Sequence, residues 1–335
     1  MKLPAVAVAV LNFNGKHHLK DCLDSLSQQL YRNCNVYVVD NGSTDGSVDF
    51  AREEFPWVRI IAFDRNYGFA EAYNRAIEML QFDFVALLNN DVAVDSEWLE
   101  ELVEEILKDE SIAACGSKIL LYSDRGRLNH AGAKFTPIGA GYDVGLYEKD
   151  SEEYDRGGYV GAVCGAAMIV RRNAFIRIGG FDRDFFAYFE DTDFCWRAWL
   201  YGFKIVYVPS SRVYHKLGGS WGSVYSGRRV YLGERNRLLT MFKNFEAARL
   251  LRGVILSVFF VSARLVGALR RSRVDNVSAL LKAHLWILSK FRKVLVKRAL
   301  VQAKKRVSNA TLERLGFIAS SKEAFREFRR FKGVK

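Results

Sequence analysis

The first 90 residues alternate between two kinds of segment. Short, continuous apolar runs such as Ala5–Leu11 and Phe84–Leu88 are typical of strands that are buried on both faces of a parallel sheet. Lys16–Gln29 instead places its apolar residues at the spacing of an amphipathic helix. Val36–Val39 and Val58–Phe63 predict two further strands. This succession of strand, loop and helix predicts an α/β fold with a mostly parallel, Rossmann-like sheet flanked by helices.

Polar residues and glycines follow each of these predicted strands. The carboxyl ends of parallel strands meet at one edge of a sheet, and ligands bind there in open α/β folds. The strand-end residues are Asn12, Asn14, Asp40, Asn41, Ser43, Asn66, Gly68, Asn89, Asn90 and Asp91. Turn chemistry alone explains a single loop of this kind. Four such loops at one edge favour a nucleotide-binding crevice.

The same loops exclude two common nucleotide sites and indicate a metal ion. The first strand is followed by Asn12–Lys16, which lacks the G-x-G-x-x-G of dehydrogenases, and the chain contains no Walker phosphate loop. Carboxylate oxygens suit Mg²⁺ and Mn²⁺. We therefore expect Asp91 to hold one of these ions on a pyrophosphate, and Asp40 to accept a hydrogen bond from a base or ribose.

Four segments resemble the family 2 glycosyltransferases of GT-A fold, and within that family the rhamnosyltransferase-like branch. They are Asn12–Gly15, Val39–Ser47, Asn66–Ala70 and Asn89–Asp91, and the resemblance spans residues 4–240. It implies a sugar-nucleotide donor bound by the N-terminal half, with Asp40 near the base and with Asn12 and Phe13 lining the base pocket. It also places Asn66 and Asn74 near the ribose or pyrophosphate. Many relatives carry Asp-x-Asp where this chain has Asn89-Asn90-Asp91, which implies that Asp91 is the metal ligand.

A second group of candidate residues lies in the aromatic-rich segment Phe185–Arg197, where three carboxylates fall within four positions. Acids at a helix N-terminus complement the helix dipole, and this role suits Asp193. A carboxylate packed against aromatic rings loses solvation and gains the raised pKa that a general base needs. The Glu-Asp motif of family 2 implies that Asp191 is the base, with Glu190 as the alternative. Arg197 is expected to form an ion pair with one of these acids.

One histidine has a context that suggests function. Gly202–Pro209 predicts an edge strand that ends at proline, and His215 follows it, ahead of the small-residue loop Gly218–Ser220. The resemblance places His215 where relatives supply an imidazole to the metal or the phosphates. Leu120–Asp155 is expected to form a mobile loop on the acceptor side. The histidines expected at the surface or in a loop are His17, His18, His130 and His284.

Charge is distributed unevenly along the 335 residues, whose net charge is +12. From Arg235 onward, 25 Lys and Arg stand against 5 Asp and Glu, whereas the earlier part has 25 against 33. We therefore expect a catalytic domain over residues 1–240 and a basic α-helical C-terminal region over residues 241–335. The five cysteines show no C-x-x-C spacing, which suits reduced thiols in a cytosolic protein. The apolar run near the N-terminus lacks a cleavage site and is expected to be a strand, not a signal peptide.

The C-terminal region admits more than one interpretation. Ala279–Val301 mixes apolar residues with lysines and arginines, as in a helix that lies in a membrane interface. Arg249–Leu269 has an apolar centre of about 10 residues before Arg264, whereas a membrane span needs about 20. We expect a peripheral protein of the cytoplasmic membrane face. The alternative is a helical bundle that packs on the catalytic domain, with its charges simply solvated.

These observations lead to one expected activity and two competitors. We expect an inverting, metal-dependent transferase that moves a sugar from a nucleotide diphosphate donor to a saccharide or lipid-linked acceptor in cell-surface polysaccharide synthesis. The favoured donor is dTDP-rhamnose, with UDP-hexose or GDP-mannose as the next candidates. The basic tail also suggests a nucleic-acid-binding protein with a degenerate nucleotide fold, but the tail has long apolar runs and no zinc or RNA-recognition signature. We therefore expect no nucleic-acid partner. A sugar-nucleotide pyrophosphorylase would need a glycine-rich phosphate loop after the first strand.

Overall fold

The computed structural model describes residues 3–216 and 226–333. The loop Gly218–Ser220 that we singled out after His215 lies outside these described residues. The strands are β1 (Val6–Asn12), β2 (Cys34–Asp40), β3 (Arg59–Ala62), β4 (Phe84–Asn89), β5 (Val92–Val94), β6 (Ile112–Leu121), β7 (Leu128–His130), β8 (Ala133–Phe135), β9 (Gly141–Asp143), β10 (Gly158–Tyr159), β11 (Ala167–Arg171) and β12 (Lys204–His215). The helices are α1 (Lys16–Ser27), α2 (Ser47–Glu54), α3 (Gly68–Met79), α4 (Trp98–Leu107), α5 (Arg172–Ile178), α6 (Glu190–Leu200), α7 (Gly227–Asn244), α8 (Ala247–Arg270), α9 (Val274–Ser289), α10 (Phe291–Lys304), α11 (Asn309–Arg314) and α12 (Ser321–Gly333).

The main sheet has the strand order β10-β12-β6-β11-β4-β1-β2-β3, with β5 added beside β12 and β7 beside β6. Strands β4, β1, β2 and β3 run parallel to one another, so the four polar loops after them lie at one edge, as predicted. Strand β11 is antiparallel to both β4 and β6. The sheet is therefore mixed and flanked by helices, which confirms the predicted fold class.

Both faces of the sheet are covered, and this explains the continuous apolar runs. In β1, Ala7 and Ala9 belong to one hydrophobic cluster, whereas Val8 and Val10 belong to the other. Successive residues of a strand point to opposite faces, so a strand with two buried faces has no polar positions. Helices α1 and α4 supply apolar residues to the second cluster, and α3, α5 and α6 supply them to the first.

Two segments differ from expectation. Leu120–Asp155, predicted to be one loop, contains β7 and the β8–β9 hairpin, because its short apolar stretches pair with β6 and with each other. The strand predicted to lie at an edge and to end at Pro209 instead lies between β10 and β6 and continues to His215 as β12. Its register against β6 shifts between Val208 and Arg212, and this irregularity accommodates the proline, which has no N–H to donate.

The C-terminal helices share the core of the sheet. Ile287, Val294, Val301 and Leu312 belong to the same hydrophobic cluster as Val85 and Leu87 of β4. The helix predicted over Ala279–Val301 is divided at Lys290 into α9 and α10, which pack on α7. The division of the chain at residue 240 stays a prediction, since the two parts are continuous in packing. Among the described helices, α8 alone is long and apolar enough to cross a membrane, and only 11% of its apolar window is buried.

Candidate active site

Strands β1 and β2 end in a buried polar cluster. The Asn12 side-chain amide donates hydrogen bonds to Asp40 Oδ1 at 3.0 Å and to Ser43 Oγ at 3.1 Å. The Ser43 N–H donates to Asp40 Oδ2 at 2.9 Å. Asn12 and Asp40 are almost fully buried, and buried polar groups must be paired to be tolerated. The side chains of this cluster are therefore held in fixed positions before any ligand binds.

Strand β4 joins this cluster through Asn90. The Asn90 amide donates to Asn12 Oδ1 at 2.6 Å, which links the ends of β1 and β4. Gly15 packs against both amides, since a Cβ at that position would lie 2.0 Å from Asn90 Nδ2 and 2.9 Å from Asn12 Oδ1. Only glycine leaves room for this pair at the start of α1.

The loop after β3 is organised by Asn41. Its amide donates to Asn66 Oδ1 and to the Gly68 carbonyl, each at 3.1 Å, and its carbonyl accepts the Tyr67 N–H at 2.9 Å. Gly68 has a positive φ of 80°, and a Cβ there would lie 2.4 Å from the Phe186 carbonyl oxygen. This contact brings the β3–α3 loop against the segment that leads to Glu190.

The remaining predicted donor residues are placed differently from one another. Asn14 is exposed, and its Oδ1 accepts the Thr44 N–H at 2.8 Å, while Phe13 is half-buried beside it. Asn89 donates its N–H to the Ala166 carbonyl at 2.9 Å. Asn74 stands apart from the strand-end cluster. Both groups of its amide bond to the backbone of Phe181, at 2.8 and 2.9 Å, which fastens α3 to the loop after α5.

Asp91 and His215 are adjacent. The pairing of β5 with β12 sets Val92 opposite His215, and His215 Nε2 lies 3.3 Å from Asp91 Oδ1. The other ring nitrogen, Nδ1, lies 2.7 Å from Asn129 Oδ1. A second partner of this kind orients a ligating imidazole. The strand pairing thus places a carboxylate and an oriented imidazole together.

These two residues fit a hard divalent cation. Asp91 Oδ1 is buried and has no hydrogen-bond partner among the described residues, so it is left with a lone pair to offer. Within residues 3–216 and 226–333 no group of three or more His, Cys, Asp and Glu could hold a metal. Mg²⁺ in phosphate-transfer sites commonly takes one or two protein ligands together with waters and substrate phosphates. The ligand set is therefore suited to an ion that is completed by a diphosphate.

The carboxylates of α6 have contrasting surroundings. Asp191 is half-buried, and its Oδ2 accepts the Gly165 N–H at 2.9 Å while its Oδ1 accepts the Thr192 N–H at 2.6 Å. Burial raises the pKa of Asp191 above its ordinary value, although these two hydrogen bonds oppose the change. Glu190 is buried, and its Oε2 has no partner in the described structure. Burial, and then the charge of Asp191, raise the pKa of Glu190 well above its ordinary value.

Asp193 serves a structural role. It is fully buried and pairs with Arg197 at 2.8 Å and Lys243 at 3.0 Å, and it accepts a hydrogen bond from the Asn244 amide at 3.0 Å. The ion pair predicted for Arg197 is therefore with Asp193. These contacts fix the first turn of α6 against α7, and hence the position of Asp191.

Two histidines predicted at the surface or in a loop are buried. His18 lies on the inner face of α1, where burial and then the neighbouring His17 lower its pKa. Its position four residues before the buried Cys22 was a periodicity signal that could have revealed this. His130 is 2% exposed in β7, a strand of three residues that gives too short a pattern to recognise. His17 is exposed as predicted, and His284 is only partly buried on α9.

The fold is that of the GT-A glycosyltransferases, and comparison with known proteins gives the family. The sequence model described as "Glycosyl transferase family 2" matches residues 7–179, and that described as "N-terminal domain of galactosyltransferase" matches residues 151–217. The chain belongs to glycosyltransferase family 2 and is an enzyme of that class.

Individual relatives agree with this assignment. The N-acetylglucosaminyl-diphospho-decaprenol L-rhamnosyltransferase of Mycobacterium tuberculosis is 31% identical over 244 residues, which cover 66% of this chain and 78% of the relative. The structure of GalNAc-T7 with UDP, GalNAc and Mn²⁺ is similar with a TM-score of 0.59 at 17% identity, over 72% of this chain and 48% of that one. The mannosyltransferase PcManGT from Pyrobaculum calidifontis, in complex with GDP-Man and Mn²⁺, gives a TM-score of 0.51 at 18% identity over 90% of this chain and 86% of that one.

Proposed function

We propose that this chain is an inverting, metal-dependent rhamnosyltransferase that uses dTDP-rhamnose and a lipid-linked saccharide acceptor in cell-surface polysaccharide synthesis. One observation carries the proposal. Gly165 donates its N–H to Asp191, and the next residue, Ala166, accepts the N–H of Asn89, at 2.9 Å in each case. A carboxylate suited to be a base therefore lies beside the strand end that leads to Asp91. The rhamnosyl donor and lipid acceptor are taken from the name of the mycobacterial relative.

The donor would occupy the strand-end cluster. Asp40, held by Asn12 and Ser43, keeps lone pairs that can accept hydrogen bonds from a base or ribose. The half-buried ring of Phe13 supplies an apolar surface for the base. Asn14, Asn41, Asn66, Gly68, Asn89 and Asn90 complete the wall of this crevice. We propose a supporting role for Asn74, whose contacts with Phe181 fix α3.

Asp91 and His215 would hold Mg²⁺ or Mn²⁺. When bound, such an ion neutralises charge on a diphosphate leaving group. The two protein side chains supply one anionic and one neutral ligand. Asn129 keeps the imidazole of His215 oriented towards the Asp91 carboxylate.

Asp191 would act on the acceptor. Its carboxylate, fixed by the Gly165 and Thr192 N–H groups, takes the proton of an acceptor hydroxyl as that oxygen forms a bond to the anomeric carbon. The bond from that carbon to the donor phosphate breaks in the same displacement. One base on one face means a single displacement and inverted configuration, in parallel with inverting glycosidases.

We also propose that the enzyme works at the anionic cytoplasmic face of a membrane, where it would meet a lipid-linked acceptor. Two polar residues of helix α8 point inward, since Arg264 pairs with the buried Glu234 at 2.7 Å and Ser257 contacts Arg237 at 3.0 Å. Its exposed surface is mostly apolar and includes Leu251, Ile255, Val258, Phe259, Val266 and Leu269. From residue 247 to 304, Asp275 is the sole acid among 13 Lys and Arg. This combination of exposed apolar surface and positive charge fits anionic headgroups.

The activity is tested with a panel of donors read by nucleotide release. We expect dTDP-rhamnose to react fastest, chelation by EDTA to stop the reaction, and Mn²⁺ or Mg²⁺ to restore it. Asp91→Asn and His215→Gln should behave like chelated enzyme, whereas Asp49→Asn, an exposed acid on α2, should not. Full activity in EDTA after extensive dialysis would contradict the metal, and preference for another donor would contradict the rhamnosyl assignment alone.

A further inference from the structure

A second polar pair lies near Asp191 and has no role in the mechanism above. His130 is almost fully buried in β7, and its Nδ1 lies 2.8 Å from Asp143 Oδ1 in β9. The other ring nitrogen, Nε2, is also buried and has no hydrogen-bond partner among residues 3–216 and 226–333. Buried side-chain nitrogens are nearly always paired, so an unpaired one calls for an explanation.

The fold places this pair beside α6. The β8–β9 hairpin packs on that helix, since a Cβ on Gly141 would lie 3.2 Å from both Cγ2 and Oγ1 of Thr192. Ala133 of β8 pairs both with Asp143 and with Ala162, three residues before the Gly165 that binds Asp191. The charge of Asp143 is close enough to raise the pKa of Asp191. His130 and Asp143 are therefore neighbours of the Asp191 carboxylate.

The chemistry of the ring decides what Nε2 can bind. An ionised Asp143 accepts the proton on Nδ1, which fixes the neutral tautomer and leaves a lone pair on Nε2. A group that meets this lone pair must donate a hydrogen bond. A sugar hydroxyl does so and carries no charge, so it can enter a buried site at lower cost than an ion.

We propose that His130 and Asp143 form an acceptor-binding dyad, in which His130 Nε2 accepts a hydrogen bond from a second hydroxyl of the acceptor saccharide, next to the hydroxyl that Asp191 deprotonates. The proposal rests on the proposed function, in which Asp191 is the base. No proton is transferred at His130, so it is a residue for binding and positioning the acceptor. The dyad would determine which acceptor hydroxyl is presented to Asp191.

Strand β7 would then contribute one residue to the donor site and the next residue to the acceptor site. Asn129 contacts His215 on the donor side, whereas the next residue, His130, contacts Asp143. Successive residues of a strand point to opposite faces, so adjacent positions can reach two different sites.

The test is a cycle of variants and deoxy acceptors. The probe acceptor is N-acetylglucosaminyl diphosphate on a short polyprenyl chain, together with analogues that each lack one sugar hydroxyl. In His130→Phe we expect the acceptor KM to rise about 3- to 10-fold, the value of one hydrogen bond, with the dissociation constant of dTDP unchanged. Asp143→Asn, which keeps the shape of the side chain, should move the acceptor KM in the same direction. Lys149→Ala, which changes an exposed residue in the same region, should alter neither the acceptor KM nor the dissociation constant of dTDP.

The deoxy series makes the assignment specific. For the wild type, one deoxy analogue should have an acceptor KM that is higher than that of the parent acceptor by the same factor of about 3 to 10. For His130→Phe, this analogue should be no worse than the parent acceptor, because the hydrogen bond to His130 is already absent. Equal discrimination by both enzymes against every analogue would overturn the dyad, as would parallel losses in thermal stability and dTDP binding. No transfer to the parent acceptor by the wild type would overturn the acceptor class. Full activity of Asp191→Asn would instead refute the base, which distinguishes the two failures.

Discussion

Asp191 and Glu190 are adjacent carboxylates whose surroundings suit different tasks. Asp191 has two backbone N–H donors and a half-buried position from which it can reach a substrate. Glu190 is buried and unsatisfied at Oε2. A base must be both oriented and accessible. The structure therefore gives a physical reason to prefer Asp191, which sequence comparison alone cannot provide.

Replacement of Asp191 by Asn should remove transfer and leave donor binding nearly intact. The amide keeps the shape of the side chain but cannot take a proton, and a general base contributes about 10²–10⁴-fold to the rate. Single-turnover rates and dTDP-rhamnose affinity measure the two effects separately. In the wild type, the raised pKa of Asp191 should shift the acidic limb of the pH–rate profile to a pH above 3.8, the ordinary pKa of an aspartate. If Glu190→Gln is inactive while Asp191→Asn stays within a few-fold of the wild type, the base is Glu190.

Glu190 should make the protein less stable as pH rises. Its pKa in the folded protein lies well above the ordinary 4.5, so in the interval between the two values the unfolded chain has already released a proton that the folded chain keeps. Unfolding then releases a proton, and the free energy of unfolding falls with increasing pH. Urea denaturation of Glu190→Gln at several pH values above 4.5 should show a shallower decline than the wild type. An identical slope in both proteins would contradict the raised pKa.

The residues that could be predicted from sequence are those whose position follows from a strong pattern. Asn12, Asp40 and Asp91 follow continuous apolar runs, and parallel strands bring such ends together. His130 and Asp143 could not be predicted, because β7 and β9 contain three residues each and pair across a hairpin. Periodicity does not specify such contacts.

At the scale of elements, the start of α1 depends on a glycine. Gly15→Ala would place a Cβ 2.0 Å from Asn90 Nδ2, so the bridge between β1 and β4 must move. Overpacking of this kind costs about 1–3 kcal/mol, which corresponds to roughly a 5- to 150-fold weaker affinity if it falls on donor binding. Calorimetric titration with dTDP measures this loss. Gly233→Ala in α7, where nothing lies within 4 Å, is the matched control and should raise stability by about 0.5–1 kcal/mol.

The buried ion pairs between α6 and α7 should be important for stability. Lys243 pairs with Asp193 at 3.0 Å and with Asp182 at 2.5 Å, and all three side chains are at most 6% exposed. Lys243→Met leaves two carboxylates short of a partner, and removal of one member of a buried pair costs about 3 kcal/mol or more. Thermal unfolding should show a clear loss, whereas Lys108→Met, which removes an exposed lysine just after α4, should show none. An unchanged Tm for Lys243→Met would mean that the network contributes little.

At the scale of the molecule, the basic tail and the sheet form one packed unit. The sequence predicted the helical character and charge of the tail, because both follow from local composition. It did not predict the shared core, since contacts such as Trp196 with Asn309, at 3.0 Å, join residues 113 positions apart. Nor did it predict that Arg264 of α8 points inward, because the buried Glu234 with which it pairs lies on another helix.

The last prediction concerns this outward apolar face of α8. The full chain should sediment with anionic vesicles at low salt and less so at high salt, because ions screen headgroup attraction over about 8–10 Å at physiological strength. Neutral vesicles should bind less at any salt. The double variant Ile255→Glu and Phe259→Glu adds two charges to this exposed face and should release the protein, since each acid must be kept out of the apolar interface.

Met79→Glu with Leu107→Glu is the matched control, because these exposed apolar residues lie on α3 and α4, away from the tail. This pair should bind vesicles like the wild type. If the wild type ignores anionic vesicles at low salt, the membrane assignment fails. Sedimentation velocity then decides between two remaining explanations, because a face that joins two copies would give a dimer that Ile255→Glu and Phe259→Glu convert to a monomer. A wild-type monomer without vesicle binding would leave α8 as a packing helix whose outer face is simply exposed.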